Sequence, residues 1–323
     1  MTRAFVTGIT GQDGGYLAEQ LLGEGVEVHA LAQDSDPAAV PDGVHVHRGD
    51  LLDTDAVQDL LLEVDPAEVY NLAALSSVAQ SWQEPVLSAR VNGLAAVALM
   101  EAAFQVQLQG GHPVRFVQAS SAEIFGAPTT SPQDESTPVR PVNPYGAAKA
   151  FAHLMVDVYR AKGLHAVSAI LYNHESPRRP ERFVSRKIVS TVAAISAGSA
   201  DRLELGNLDV RRDWGWAPDY VDALVRAARA DVAQDFVVAT GEGRSVRDFV
   251  AAAFRHAGIE QWEDLVSVDP DLVRPVDAAD LTGDAGRARE VLGWKPTVGF
   301  EEMVGRMVDE DLARARAGSD ALR

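Results

Sequence analysis

The chain has 323 residues, 46% of them hydrophobic and 24% charged, with a net charge of −18 and no cysteine. That is enough to bury one large core or two ordinary ones. The acidity excludes a partner with a polyanionic backbone, which needs a basic stripe, and the lack of cysteine excludes disulfides, thiolate metal sites and a thiol nucleophile.

The chain opens on "MTRAFVTGITG", with no leader pattern. No apolar run approaches the ~18 residues of a membrane span, so a soluble cytoplasmic protein is expected, with no metal site. Strand patterns follow at 3–8, 26–32, 44–50, 67–74, 114–121 and 165–172, with helical patterns at 14–24, 53–64, 86–105 and 144–162 between them. This alternation predicts an α/β fold, a doubly wound parallel sheet of Rossmann type. After Tyr172 the rhythm breaks. "NHESPRRPERFVSRK" (173–187) carries five Lys or Arg, and a helix at 183–197 and a short strand near 203–205 follow. "QDFVVATGEG" (234–243) reads as one more core strand, and two helices and a compact "GRAREVLGWKP" lie beyond 244. The last ten residues, "RARAGSDALR", read as a frayed tail. The expected division is a dinucleotide-binding unit over 1–172 with about 213–241, and an interleaved nucleotide-sugar unit over 173–212 and 242–323.

"FVTGITGQDGGYLAEQLL" is strand, glycine loop and helix. Its glycines, Gly8, Gly11 and Gly14, let the backbone around Thr10, Gln12 and Asp13 approach a pyrophosphate at a helix N-terminus. Asp50 and Leu51 end the third strand, where an adenine edge would lie. Leu72, Ala73, Ala74 and Ser76 end the fourth with the small residues a bound cofactor requires. Each alone reads equally well as a strand end; together they mark one crevice.

"NPYGAAKA" places Tyr145 and Lys149 on one helical face. A nearby ammonium, with a nicotinamide cation, would lower the phenol toward neutrality and let it act as a base. The plainer reading is an exposed Tyr and a solvated Lys. Ser121 and Glu123 follow the apolar strand "VRFVQASS", and a carboxylate there is costly unless paired or used. The plainer reading of Glu123 is a cap for the next turn.

Over nearly its whole length the chain resembles the GDP-mannose 4,6-dehydratase family, within the extended short-chain dehydrogenase/reductases. The resemblance rests on "GITGQDGGYLAEQLL", "QASSAEIFG", "NPYGAAKA", "NHESPRRPERFVSRKI", "LGNLDVRRDWGWAPDYV" and "GDAGRAREVLGWKP". It implies a hydro-lyase that converts GDP-mannose to GDP-4-keto-6-deoxymannose. The sugar is oxidised at C4, water is lost across C5 and C6, and hydride returns to C6. By carry-over Tyr145 is the base at the C4 hydroxyl, Lys149 its partner, Ser121 a donor to the C4 oxygen and Glu123 the base at C5. Lys187, Arg212 and Arg274 match positions that hold the GDP moiety, beside Asn173, Val184, Ser76 and Asp277, while His174 and Arg179 match positions near the cofactor.

The chain departs from the family after the second strand, where Gln33 and Asp34 stand for two arginines and the loop is short. NADP is the implied cofactor, with NAD as the alternative for that reason, and a homodimer is expected more readily than a homotetramer. Arg48 is a candidate substitute cation. The rivals are a reductase, epimerase or decarboxylase of the same fold, and a non-catalytic dinucleotide sensor.

Overall fold

A computed structural model describes residues 2–33, 40–272 and 278–320, with side chains to residue 316. The first elements are β1 (Arg3–Thr7), α1 (Gln12–Gly23), β2 (Glu27–Ala32), β3 (His45–Arg48), α2 (Thr54–Val64) and β4 (Glu68–Asn71). Next come α3 (Val78–Gln83), α4 (Pro85–Ala89), a π-helical turn (Arg90–Leu94), α5 (Ala95–Gly110) and β5 (Arg115–Ser121). A 3₁₀ turn (Ala122–Ile124), α6 (Pro144–Ala161) and β6 (His165–Leu171) complete the alternating half. Capping chemistry fixes several helix starts: the Asp53, Ser77 and Asn143 side chains accept from backbone N–H groups of the first turns of α2, α3 and α6.

The rest runs β7 (Asn173–Glu175), α7 (Val184–Ser196), β8 (Leu203–Leu205), β9 (Arg211–Trp216), α8 (Ala217–Ala228), β10 (Phe236–Val238), β11 (Gly243–Ser245) and α9 (Val246–His256). β12 (Val266–Val268), β13 (Asp280–Leu281), α10 (Gly286–Leu292) and α11 (Phe300–Asp320) close it. The main sheet has seven parallel strands in the order β10-β6-β5-β4-β1-β2-β3. Its inner strands are apolar on both faces, as a sheet covered on both sides requires. Ala4, Val6, Val28 and Ala30 pack with α1 and α8 on one face; Phe5, Val69 and Phe116 pack with α2, α5 and α6 on the other. A third core, centred on Ile188, Leu203, Phe249, Phe254 and Met307, joins α7, α9 and α11.

Four expectations change. The helix expected at 86–105 is interrupted by the π-helical turn, and the continuous stretch Pro85–Gly110 is long and apolar enough by composition to cross a membrane; half of its apolar 18-residue window is buried inside this fold. Asn173–Glu175 is a strand paired to β9, despite its polar sequence, because β9 supplies the backbone partners. Beyond 244 there are three α-helices among the described residues, not two. Helix α11 continues through Asp320, so the expected tail is helical for most of its length.

The strands are parallel, so their carboxyl ends share one edge. The order changes direction between β1 and β4, and a crevice opens there.

Candidate active site

The crevice is a cavity of about 990 Å³. The turn after β1 forms its floor. Gly8 has φ +76, and a Cβ there would lie 2.7 Å from the Ala73 nitrogen. A Cβ on Gly14 would lie 2.3 Å from the Gly8 carbonyl oxygen. Only glycine fits either position. Helix α1 begins at Gln12, two residues earlier than expected, so Gly14 is inside its first turn.

The loop is tied to the basic segment. Asp13 Oδ2 lies 2.8 Å from His174 Nε2, while His174 Nδ1 lies 2.7 Å from the Tyr172 carbonyl oxygen. Both ring nitrogens therefore face acceptors. Burial opposes charge on the imidazole, but Asp13 outweighs it and holds its pKa above the ordinary value. Burial likewise pushes the Asp13 carboxyl up, and His174 brings it below its usual value. Gln12 donates to the His174 carbonyl and accepts from Ser176.

Tyr145 and Lys149 come from the first turns of α6 and are both buried. Lys149 Nζ donates to the Ala119 carbonyl at 2.8 Å and lies 5.9 Å from the centre of the Tyr145 ring. The expected lowering of the phenol is not what the protein alone produces. Burial pushes Tyr145 up to about 12, against a hydrogen bond with Ser121 that pulls it down, and Glu123 pushes it further up. Burial also brings the Lys149 ammonium down to about 8.

Ser121 caps the 3₁₀ turn by accepting from the Glu123 N–H at 3.2 Å. Glu123 is therefore not the cap. Its Oε2 instead accepts from Asn143 Nδ2 at 2.7 Å, and Asn143 Oδ1 accepts from the Gly146 N–H to start α6. Asn143 was not singled out from the sequence, although an Asn before Pro at a helix start is a capping signal.

The cavity brings together Gly8, Thr10, Gly11, Gln12, Asp13, Gly14, Asp50, Leu51, Leu72, Ala73, Ala74 and Ser76 with Ser121, Glu123, Tyr145 and Lys149. Asn173, His174, Arg179, Val184 and Arg212 line the same space. Arg179 lies 3.3 Å from Glu175 and stacks over Phe183. Arg212 Nη1 donates to the Arg211 and Ala278 carbonyls. Lys187 is half-buried on α7 and does not line the cavity. Asp34, Arg274 and Asp277 lie outside the described residues. Gln33 donates to Asp50 at 2.9 Å, and Arg48 donates to the Gln33 carbonyl at 2.7 Å. Sequence reading also missed Arg182, Phe183, Asn207 and Trp214 in the lining, since their meeting depends on β9 pairing with β7 across about forty residues of chain.

A sequence model of the family described as GDP-mannose 4,6 dehydratase matches residues 5–307. GDP-mannose 4,6 dehydratase 2 of Arabidopsis thaliana is 44% identical over 97% of this chain and 87% of its own length. The Homo sapiens GDP-mannose 4,6 dehydratase is 41% identical over 98% and 93%. The solved UDP-glucose 4-epimerase of Thermus thermophilus, in complex with NAD, has a TM-score of 0.84 and 30% identity, covering 96% of this chain and 99% of that one. The glycine floor, the α6 pair and the Glu123 carboxylate all fall within the matched residues, and the chain belongs to the GDP-mannose 4,6-dehydratase family.

Proposed function

We propose that the protein is a nucleotide-sugar 4,6-dehydratase acting on GDP-mannose, and that it releases water and GDP-4-keto-6-deoxymannose. The observation that carries this is Glu123. A carboxylate held by Asn143 stands in the same cavity as the Tyr145–Lys149 pair, and a simple epimerase or reductase of this fold needs no such base.

A nicotinamide dinucleotide fits the cavity. Only glycine is accommodated at Gly8 and Gly14, and the buried Ser120 Oγ in the lining has no hydrogen-bond partner among the described residues. The turn from Gly8 to Gly14 would hold its pyrophosphate and Asp50 with Leu51 its adenosine end. When bound it supplies reversible two-electron oxidation at the sugar. With a nicotinamide's positive charge beside it, Tyr145 would give up its phenol proton and then take the proton of the C4 hydroxyl at its Oη, and Ser121 Oγ orients that oxygen. Lys149 fixes the wall behind the phenol through the Ala119 carbonyl. Glu123 removes the C5 proton and returns a proton to the oxygen leaving C6. Arg179 and Arg212 suit the diphosphate, because a guanidinium binds phosphate as a fork.

NADP is the cofactor the family implies, and weak discrimination against NAD is the finer reading. Gln33 offers a neutral amide, already engaged with Asp50, where an arginine would face a 2′-phosphate. The chain forms a homodimer through α4, the π-helical turn after it and α6, where Val86, Leu94, Phe151, Leu154 and Val158 lie exposed. The two-unit division rests on the third core, which the 188–308 region builds, although Leu281, Ala288 and Trp294 join the core of the main sheet.

The test is incubation with GDP-mannose and mass spectrometry. Loss of one water is expected. An epimeric sugar of unchanged mass, separated chromatographically, indicates an epimerase, and loss of carbon dioxide from a nucleotide uronic acid in a parallel incubation indicates a decarboxylase; either outcome refutes the reading.

A further inference from the structure

We propose a divalent transition-metal site on the exposed edge of the main sheet, formed by Glu27, His29 and His45 and braced by His47. The sequence carries Glu-Val-His at 27–29 and His-Val-His at 45–47. Alternation along a strand sends both ends of each triplet to one face. The two strands are adjacent and parallel, and the register sets His29 directly beside His45. Four ligand-type side chains thus converge, although the triplets are fifteen residues apart in the chain.

The ligand atoms are spaced for chelation. Glu27 Oε1 lies 3.1 Å from His29 Nε2 and 3.9 Å from His45 Nε2, and the three groups offer atoms all within 4.8 Å of one another. Two ligands at about 2.0–2.1 Å from a tetrahedral ion stand roughly 3.3 Å apart, so small side-chain adjustments close the set. Two imidazoles and one carboxylate suit Zn²⁺ or a neighbouring first-row ion, with a fourth position left for water.

The second observation is the brace. His29 Nδ1 and His47 Nε2 are 2.9 Å apart, and the His29 ring stacks on both the His45 and His47 rings at 4.8 and 5.2 Å. The Glu27 carboxylate only accepts, so in the metal-free cluster His29 donates to it from Nε2; a bound ion takes the place of that proton, and the Nδ1 contact with His47 holds the ring in plane for it, as the hydrogen-bond partners of ligating histidines do. The other charged groups near the cluster are Arg3, Glu63 and Asp65. Arg3 is paired in register with Glu27, but its guanidinium is taken up by Asp65 and the Val64 carbonyl, and Glu63 acts on His47 as a further negative charge.

The site lies at the amino end of β2. The cavity is lined from the other end of that strand, by Leu31, Ala32 and Gln33. A bound ion would therefore pin the edge strand β3 to its neighbour and act on stability, not on turnover.

The experiment uses untagged, chelator-treated protein titrated with Zn²⁺ by calorimetry, with thermal unfolding in parallel. One ion per chain at micromolar affinity and a Tm that rises with Zn²⁺ are expected. His45→Ala removes an exposed side chain and should fold normally, with binding at least tenfold weaker. Glu27→Gln should do the same, and His47→Ala should weaken binding by about 10–100-fold through the brace. Failure to bind one equivalent, or binding unchanged in both His45→Ala and Glu27→Gln, overturns the proposal.

Discussion

Replacing Lys149 by methionine should abolish turnover and yet remove a load on the fold. Lys149 is 2% exposed, and burial lowers its ammonium from 10.5 to about 8. That gap corresponds to about 3 kcal/mol disfavouring the folded state wherever both forms are protonated, below about pH 8. Between pH 8 and 10.5 the unfolded chain binds the proton that the folded chain has released, so wild-type stability rises with pH through that window. At pH 10 only about 1 kcal/mol of the cost is left. Methionine has no such dependence. It does leave the Ala119 carbonyl without its donor, a loss of about 1–3 kcal/mol that does not vary with pH. The clean quantity is therefore the change in the Tm difference between variant and wild type from pH 7 to pH 10. For a chain of this size about 2 kcal/mol corresponds to roughly 4 °C, so the variant should lose about that much of its relative advantage on going to pH 10. Differential scanning calorimetry at the two pH values reads it directly. A difference that stays flat, or moves the other way, refutes the account of a desolvated ammonium.

Glu123→Gln should lower dehydration by about 10²–10⁴-fold while still allowing reduced cofactor to accumulate in single-turnover absorbance, whereas Tyr145→Phe should show neither signal. Near-normal dehydration by the glutamine variant would place the C5 base elsewhere. Asn143→Asp keeps a helix cap but sets a second carboxylate against Glu123, now 2.7 Å from the amide. Two charges at about 4 Å repel by roughly 1–4 kcal/mol, so dehydration should slow at least tenfold while C4 oxidation, read by cofactor absorbance, persists; an unchanged dehydration rate would separate Asn143 from the carboxylate's work. Gly14→Ala drives a Cβ into the Gly8 carbonyl and should weaken NADP⁺ and NAD⁺ binding at least tenfold by calorimetry, with circular dichroism unchanged. On the wild type the same titration should show less than a hundredfold preference for NADP⁺.

All seven strands of the main sheet were legible because each is a short run of strand-forming residues set between helical periods or turn signals. The glycine turn was legible because close packing leaves no alternative residue. The strand Asn173–Glu175 was not, because its stability comes from β9 and not from its own composition. The long helix through Pro85–Gly110 hid its π-helical turn for a similar reason. Asn92 in that turn accepts from the Leu75 N–H and donates to the Leu75 carbonyl, contacts made across seventeen residues of sequence. The expected lowering of Tyr145 draws on a nicotinamide cation as well as on Lys149, and the protein alone does not supply it, because helical spacing puts two residues on one face without saying which acceptor each will choose. Lys149 chose a carbonyl of β5. The histidines escaped notice because only the strand register assembles them.

One amide side chain both starts the helix that carries Tyr145 and holds the carboxylate of Glu123. The two groups proposed as bases are therefore mounted on a common bracket. A shift of the first helical turn carries both, which keeps their spacing constant through thermal motion of α6. It also means that natural variation cannot retune one base by sliding that turn without disturbing the other. Loss of Glu123 alone is the easier change, since Asn143 still caps the helix when its amide turns to water. Along such a route a dehydratase becomes an oxidoreductase of the same fold by one substitution, while the reverse requires a carboxylate to find a bracket already in place.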